Sequence, residues 1–385
     1  MERRRVLVLL SGLAVTIALT AGAQAPAPRH GEEVLVPDGP GPAVDLAIAL
    51  DISDSMEPLL EAARLSLWDI VNSIAAADPP PRLRVALLTF GSSRNSEAQG
   101  WVRVEADLTT DLDLVAERLF ELETDGGLEY VSRAVKAAVE GLRWTPAGDA
   151  IKMIVVAGNE PADQDPEVDL RSAGAVAADE GIPVTLIYCG NPEQEEAATW
   201  KELALHSEGR FAAIDQRSGA AAVSTPYDEE LARLGAAINS TFIPLGESGR
   251  ERQRNLVRQD ENVAKLSPAS AAGRAQTKAS PGYSAGWDLI SVLDSGRPLG
   301  EIDVQDLPDE LQRMTAEGRE AYIATQRSRR DALRQQIAEL SAQRRQYVIE
   351  QVESGDLEVS KTFGRTVRDA IRAQAKDQGL ELLAE

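Results

Sequence analysis

Between residues 44 and 215, short and almost wholly apolar runs alternate with segments whose apolar residues recur at helical spacing. The first run is Val44–Leu50, and the segment after it places Leu60, Ala63 and Leu67 on one face of a helix. Runs that are apolar at nearly every position indicate strands buried on both faces, as in a parallel sheet between two layers of helices. Five further runs follow, at 83–90, 101–108, 151–156, 184–189 and 211–214. We therefore predict an α/β fold with a doubly wound, mostly parallel six-stranded sheet.

We expect a ligand site at the carboxyl ends of the strands of the predicted sheet. In doubly wound sheets, ligands bind in the crevice outside those ends. Asp51 directly follows the first apolar run, and Asn159 lies just after the run at 151–156. We expect both side chains at the same edge of the sheet.

The composition changes after the predicted sheet. An amphipathic helix is predicted over 228–243, so the sheet domain with its trailing helix spans 44–245. Residues 246–286 are rich in Gly, Ser, Ala, Arg and Gln, which favours a linker, with one helix near 252–266. Residues 287–385 are predicted to be an α-helical C-terminal region.

One stripe in that C-terminal region has the spacing of an imperfect coiled-coil seam. Its members recur at intervals of four and three residues: Leu333, Ile337, Leu340, Arg344 and Tyr347. The pattern fits a helical hairpin packed on the sheet domain, an arm that forms a homodimer, or a solvated single helix. If the arm dimerises, removing the residues after about Pro308 should give a monomer and leave the sheet domain folded.

The first residues have the three parts of a secretory signal peptide. Arg3–Arg5 precede an apolar run from Val6 to Thr20, and small residues at Ala23 and Ala25 suit a cleavage site. We predict a signal peptide over 1–25, an N-terminal tail over 26–43, and a periplasmic or secreted bacterial protein. No integral membrane span is then expected after cleavage; a retained anchor is the alternative.

Composition excludes several functions. The 40 Lys and Arg against 62 Asp and Glu give a net charge of −22, which disfavours binding to nucleic acids. Two histidines and one cysteine are too few for a structural zinc site of the Cys/His type. They also leave little scope for Ser-His or Cys-His catalysis. We expect a protein that is not an enzyme.

The residues that carry chemistry follow the first predicted strand. Asp51, Ser53 and Ser55 form a D-x-S-x-S sequence between the strand and a helix. One carboxylate and two hydroxyls are hard oxygen ligands, suited to Mg²⁺ or Mn²⁺. The alternative is a degenerate site, in which Asp51 caps the helix and accepts hydrogen bonds from the serines.

This motif, in this order of strands and helices, resembles the von Willebrand factor type A domain and its metal-ion-dependent adhesion site, most closely that of bacterial exported members. The resemblance implies two more site loops, and both depart from the family pattern. Leu128 occupies the slot after Gly126-Gly127 where the family usually has Thr, which leaves Glu129 as the nearest oxygen ligand and Asp125 as the next. Asn159 stands where the family usually has Asp. The implied metal site is Asp51, Ser53, Ser55, Glu129 and Asn159.

Three functions are consistent with these residues. The first is a binding module, whose metal face recognises a protein or peptide that offers an acidic residue. The second is an envelope scaffold or assembly protein with a degenerate metal site. The third is a metal-dependent hydrolase, which would need Glu129 or Asp125 as its base although neither has a histidine partner.

Two charged segments receive simpler interpretations. Arg327, Arg329 and Arg330 are predicted to lie on a solvated helix face. Asp163-Gln164-Asp165 is predicted to be a solvated loop beside the site.

Overall fold

The computed structural model describes most of the chain after residue 40. The described residues are 41–76, 80–146, 148, 150–215, 223–280, 282–283, 286–354, 362–377 and 379. They all belong to the compact unit that spans Val36–Glu385. The predicted signal peptide, and the predicted tail up to residue 40, lie outside the described residues.

A single six-stranded sheet forms the centre of the fold, as predicted. Its strands are β1 (Ala43–Asp51), β2 (Arg82–Phe90), β3 (Arg103–Thr109), β4 (Ala150–Gly158), β5 (Val184–Cys189) and β6 (Arg210–Ile214). They lie in the order β3-β2-β1-β4-β5-β6, and only the β2–β3 pair is antiparallel. Because β1 is central, with Asp51 paired to Phe90 and Leu50 paired to Ala157, the ends of β1, β2 and β4 meet at one edge.

Helices cover both faces of the sheet. They are α1 (Glu57–Ala75), α2 (Leu112–Glu121), α3 (Val131–Gly141), α4 (Leu170–Asp179) and α5 (Glu196–His206). The helices α1 and α2 pack on one face, and α3, α4 and α5 pack on the other. Every residue of β1 is buried, which explains why the strand is apolar except at its last residue, Asp51, and at Asp45, which pairs with Arg84 at 2.7 Å.

The C-terminal region is helical, as predicted. Its helices are α6 (Asp228–Asn239), α7 (Gly246–Leu266), α8 (Pro268–Ala279), α9 (Leu289–Asp294), α10 (Asp309–Gln312), α11 (Ala316–Glu353) and α12 (Phe363–Asp377). The predicted linker over 246–286 is therefore wrong, since α7 and α8 occupy most of it. These two helices bury few large apolar residues; α8 instead buries alanines and paired charges such as Arg274 and Lys278, which a hydrophobic pattern does not register. No helix within the described ranges is long and apolar enough to cross a membrane.

The predicted seam of α11 packs within the chain. Ile337 is buried against α6, and Leu333 and Leu340 flank it in the same apolar cluster. Arg344 Nε donates to Asp228 Oδ1 at 2.8 Å, and the Tyr347 ring meets the Tyr227 ring edge-on. A second copy could use this stripe only after α11 had left α6, so dimerisation through the seam stays an untested prediction.

The last helix, α12, completes the sheet domain. Phe363, Val367 and Ile371 are buried in the apolar cluster formed by α1 and one face of the sheet. The side chain of Gln374 meets Thr185 and the carbonyl of Pro183 at the base of β5. A domain boundary at residue 245 is therefore too early, because part of the sheet domain's core comes from the far end of the sequence.

Candidate metal centre

The first site loop turns sharply at the end of β1. Asp51 is only 1% exposed, and its Oδ1 accepts a hydrogen bond of 2.8 Å from the backbone N–H of Ser53. The chain then forms a short 3-10 turn, Asp54–Met56, and Met56 is fully buried beneath it. This anchor fixes Asp51, Ser53 and Ser55 where the chain leaves the sheet.

The second loop brings Glu129 to Asp51. Glu129 is 8% exposed, and its carboxyl group interacts with that of Asp51, which helps to raise the pKa of Glu129. The end of β2 makes room for this approach, because Gly91 has no side chain. A Cβ there would lie 2.6 Å from Asp51 Oδ1 and 3.0 Å from Glu129 Cγ, and the φ of +82° also favours glycine.

Ionisation of both carboxyl groups at once is unfavourable in free energy. Burial raises the pKa of Asp51 to about 6. Burial, and then the charge of Asp51, raise the pKa of Glu129 to about 9. A pair of buried carboxylates in contact needs either a proton or a cation between them.

The third loop closes the site from β4. Asn159 Nδ2 donates to Ser55 Oγ at 3.1 Å, and the hydroxyls of Ser53 and Ser55 lie 3.3 Å apart. The structure thus brings all five predicted site residues to the same edge of the sheet. Their role as metal ligands stays a prediction.

The donor set fits a hard divalent cation. Among the described residues, Asp51 Oδ2 and Glu129 Oε2 are buried and have no hydrogen-bond partner. Unpartnered buried carboxylate oxygens are costly unless a cation or proton reaches them. No group of three or more Asp, Glu, His or Cys residues converges in the described ranges, so a cation at this site would also need the hydroxyls of Ser53 and Ser55 as ligands.

Asp125, the second choice of ligand in the second loop, has other partners. Its Oδ2 accepts a hydrogen bond of 2.6 Å from Ser93 Oγ and lies 3.6 Å from Arg94 Nε. It joins the second loop to the turn after β2. That turn was not predicted to belong to the site, although a glycine directly after an apolar strand, Phe90-Gly91, signals a close approach.

The loop after Asn159 is anchored, contrary to the expectation of a solvated loop. Asp165 is buried and is bound by both Arg133 Nε and Nη2, at 2.6 and 2.7 Å. It also accepts hydrogen bonds from the backbone N–H groups of Glu167 and Val168. This cluster fixes the third loop to α3, whereas Asp163 is exposed as expected.

Comparison with known proteins identifies the family that the sheet domain matches. The family model of the von Willebrand factor type A domain matches residues 45–222. No curated protein sequence matches the chain.

Several solved structures are similar in fold. The SpRpn10 VWA domain is 16% identical over 46% of this chain and 91% of that chain, with a TM-score of 0.37. Proximal thread matrix protein 1 from the mussel byssus, with a zinc-occupied MIDAS motif, is 14% identical over 46% of this chain and 43% of that chain, with a TM-score of 0.37. The pilus adhesin SpaC from Lactobacillus rhamnosus GG is 15% identical over 44% of this chain and 28% of that chain, with a TM-score of 0.33. The chain thus spans less than half of the last two proteins.

Proposed function

Because residues 45–222 form a von Willebrand factor type A domain, we propose that this protein is a binding module that recognises a protein or peptide through a divalent-metal centre. Asp51, Ser53, Ser55 and Glu129 would hold Mg²⁺ or Mn²⁺, and Asn159 would bind the ion or one of its waters. The bound ion supplies a Lewis-acid position that accepts a carboxylate oxygen from the partner.

One observation carries this proposal. Asp51 Oδ2 and Glu129 Oε2 are both buried, the two carboxyl groups interact, and within the described part of the chain neither oxygen has a hydrogen-bond partner. A divalent cation between two carboxylates removes their repulsion and satisfies both oxygens. A site in which Asp51 only caps the helix would bury Glu129 in its protonated form and give it no role.

We propose binding rather than hydrolysis. A hydrolase would need a general base close to the ion, and Glu129 cannot serve as a ligand and as a free base at once. The next acid, Asp125, is held by Ser93 and faces Arg94. The site residues therefore favour recognition.

We also propose that the chain is exported and acts in the periplasm or outside the cell. The support is the basic start, Arg3–Arg5, followed by the apolar run and small residues that suit signal cleavage. N-terminal sequencing of protein taken from cells tests it. A start near Ala23 or Ala25 agrees with cleavage, and recovery of Met1 would contradict it.

Metal titration tests the proposed function. Wild-type protein should bind Mg²⁺ and Mn²⁺ in calorimetry. Asp51→Ala should abolish binding, and Glu129→Gln should weaken it at least about tenfold, since an uncharged amide replaces one of two anions. Glu140→Gln is the matched control, because Glu140 is an exposed acid on α3 that pairs only weakly with Lys136 at 3.8 Å. If neither ion binds to wild-type protein, the site is degenerate and the scaffold function is favoured.

A further inference from the structure

The second site loop presents an apolar side chain at the edge of the metal centre. Leu128 is 49% exposed and lies directly before the buried Glu129. Its position is fixed, because Gly127 packs so tightly that a Cβ there would lie 2.7 Å from the carbonyl oxygen of Gly91. Leu128 is thus held beside the site without contributing to the core.

The polar surface around Leu128 is acidic. Asp54 and Glu160 are both exposed. Asp54 lies against the second loop, since a Cβ on Gly126 would come within 3.3 Å of Asp54 Oδ2. Glu160 follows Asn159 and is close enough for its charge to help raise the pKa of Glu129.

The metal centre would not neutralise the negative charge of Asp54 and Glu160. With Asp51 and Glu129 as ligands, a divalent ion brings the centre to a net charge of zero. Arg94, a cation near the second loop, is already paired with Glu123 at 2.7 Å. Groups on a partner that flank its carboxylate will therefore meet negative charge at Asp54 and Glu160 and an apolar surface at Leu128.

We infer that Leu128 and the acids Asp54 and Glu160 select a partner segment in which the metal-binding carboxylate has an aliphatic neighbour and nearby basic residues. This inference rests on the proposed metal-dependent binding and adds the chemistry of the partner. Isolated exposed leucines are common on protein surfaces. Leu128 differs from Leu205, which is 76% exposed on α5, because it directly precedes Glu129, whose Oε2 is buried and has no hydrogen-bond partner among the described residues.

The test uses a random peptide library displayed on phage. The full chain is immobilised, peptides are bound in Mg²⁺, and bound peptides are eluted with a chelator. The expected consensus contains Asp or Glu with an adjacent Leu, Ile, Val or Met and with Lys or Arg nearby. A synthetic peptide with that consensus then serves as the probe for variants.

Substitutions at Leu128 separate its role from folding. Leu128→Ser should lower the affinity for the consensus peptide about three- to tenfold, because burial of half a leucine side chain contributes about that much to binding. Leu128→Met should restore most of the affinity, and Leu205→Ser should change nothing. Calorimetry should give the same Mg²⁺ affinity for all of these proteins.

Glu160→Lys tests the charge preference. Selection on this variant should reduce the enrichment of basic residues and keep the acidic residue. Peptides that need an acid but no aliphatic neighbour, or equal binding by Leu128→Ser and wild type, would overturn the inference and leave metal-dependent binding intact. Failure to recover any peptide that a chelator elutes would overturn both.

Discussion

At the scale of single residues, Glu129 decides the character of the site. Its carboxyl group is buried beside that of Asp51, and the pKa of each is raised by burial. We therefore expect Glu129 to keep its proton at neutral pH without a cation, and to release it and act as a ligand when a cation binds. If both carboxylates are ligands, we expect the site to hold a divalent ion without help from a partner, unlike a site with Asp51 alone.

Glu129 should make the metal-free protein less stable as pH rises. Burial and the charge of Asp51 raise the pKa of Glu129 from the ordinary value of 4.5 to about 9 in the folded protein. The folded state therefore binds more protons between these values, and its free energy of unfolding falls as pH rises through this window. Glu129→Gln lacks this contribution. Between pH 5 and pH 9, the free energy of unfolding of this variant should rise relative to that of wild type by more than about 1.4 kcal/mol, which corresponds to a shift of one pKa unit.

Urea unfolding in a chelator at several pH values measures this difference. The same experiment with Glu140→Gln gives the background, because Glu140 lies exposed on α3. Parallel pH profiles for wild type and Glu129→Gln would show that Glu129 is ionised in the metal-free fold.

Asn159→Asp should tighten metal binding. Asn159 contacts Ser55 through its amide, so an aspartate there adds a third anion at the same edge. We expect about tenfold higher affinity for Mg²⁺ in calorimetry without a partner. An unchanged affinity would place Asn159 outside the influence of the ion.

Sequence patterns predicted residues of the site better than they predicted buried charges. The D-x-S-x-S motif located Asp51, Ser53 and Ser55, since its position after a strand fixes where they lie. The contribution of Gly91 was missed because it depends on contacts between loops. Arg330 was wrongly predicted to be solvated: it is 1% exposed and binds Asp288 at 2.6 and 2.9 Å. A helix pattern cannot show that a charged residue has a buried partner.

At the scale of elements, buried ion pairs attach α7 and α8 to the sheet domain. Arg274 on α8 donates to Asp113 on α2 at 2.6 Å and also binds Asp260 on α7. Its guanidinium lies 4.7 Å from the centre of the Trp68 ring on α1. The strands were predictable because apolar runs mark them directly. The helices α7 and α8 were missed because charged groups and alanines form much of their buried surface.

Removal of Arg274 should be strongly destabilising. Arg274→Ala leaves Asp113 and Asp260 without their shared cation, and we expect a loss of about 3–5 kcal/mol in the free energy of unfolding. Arg258→Ala is the control, because Arg258 is 60% exposed although it pairs with Glu117 at 2.5 Å. The free energy of unfolding of Arg258→Ala should fall by less than about 1 kcal/mol. Equal losses for the two variants in urea unfolding would contradict the structural role of the buried pairs.

At the scale of the whole molecule, the helix α12 near the end of the sequence packs on the sheet domain. The helix α12 packs against α1 and places Phe363, Val367 and Ile371 in the core beside the sheet. The expectation that the sheet domain folds without the residues after Pro308 is therefore revised. Sequence patterns did not reveal this because an amphipathic helix shows that it has a partner and not which partner it has.

Deletion of α12 should destabilise the sheet domain. A chain that ends at residue 354 loses three large buried side chains, on the order of 5 kcal/mol of stabilisation. A chain that ends at residue 379 keeps α12 and should retain the stability of the full chain. Thermal unfolding followed by circular dichroism compares them. Equal melting temperatures would show that α12 does not complete the core.

The central claim is that Asp51 and Glu129 hold one divalent cation in place of a shared proton. Calorimetric titration with Mg²⁺ at pH 7, repeated in buffers of different ionisation enthalpy, counts the protons released on binding. The wild type should release about one proton per ion, because the raised pKa of Glu129 keeps that carboxyl group protonated until the metal binds. Glu129→Gln should bind more weakly and release none. Binding of Mg²⁺ to wild-type protein without proton release, or no binding at all, would contradict the claim.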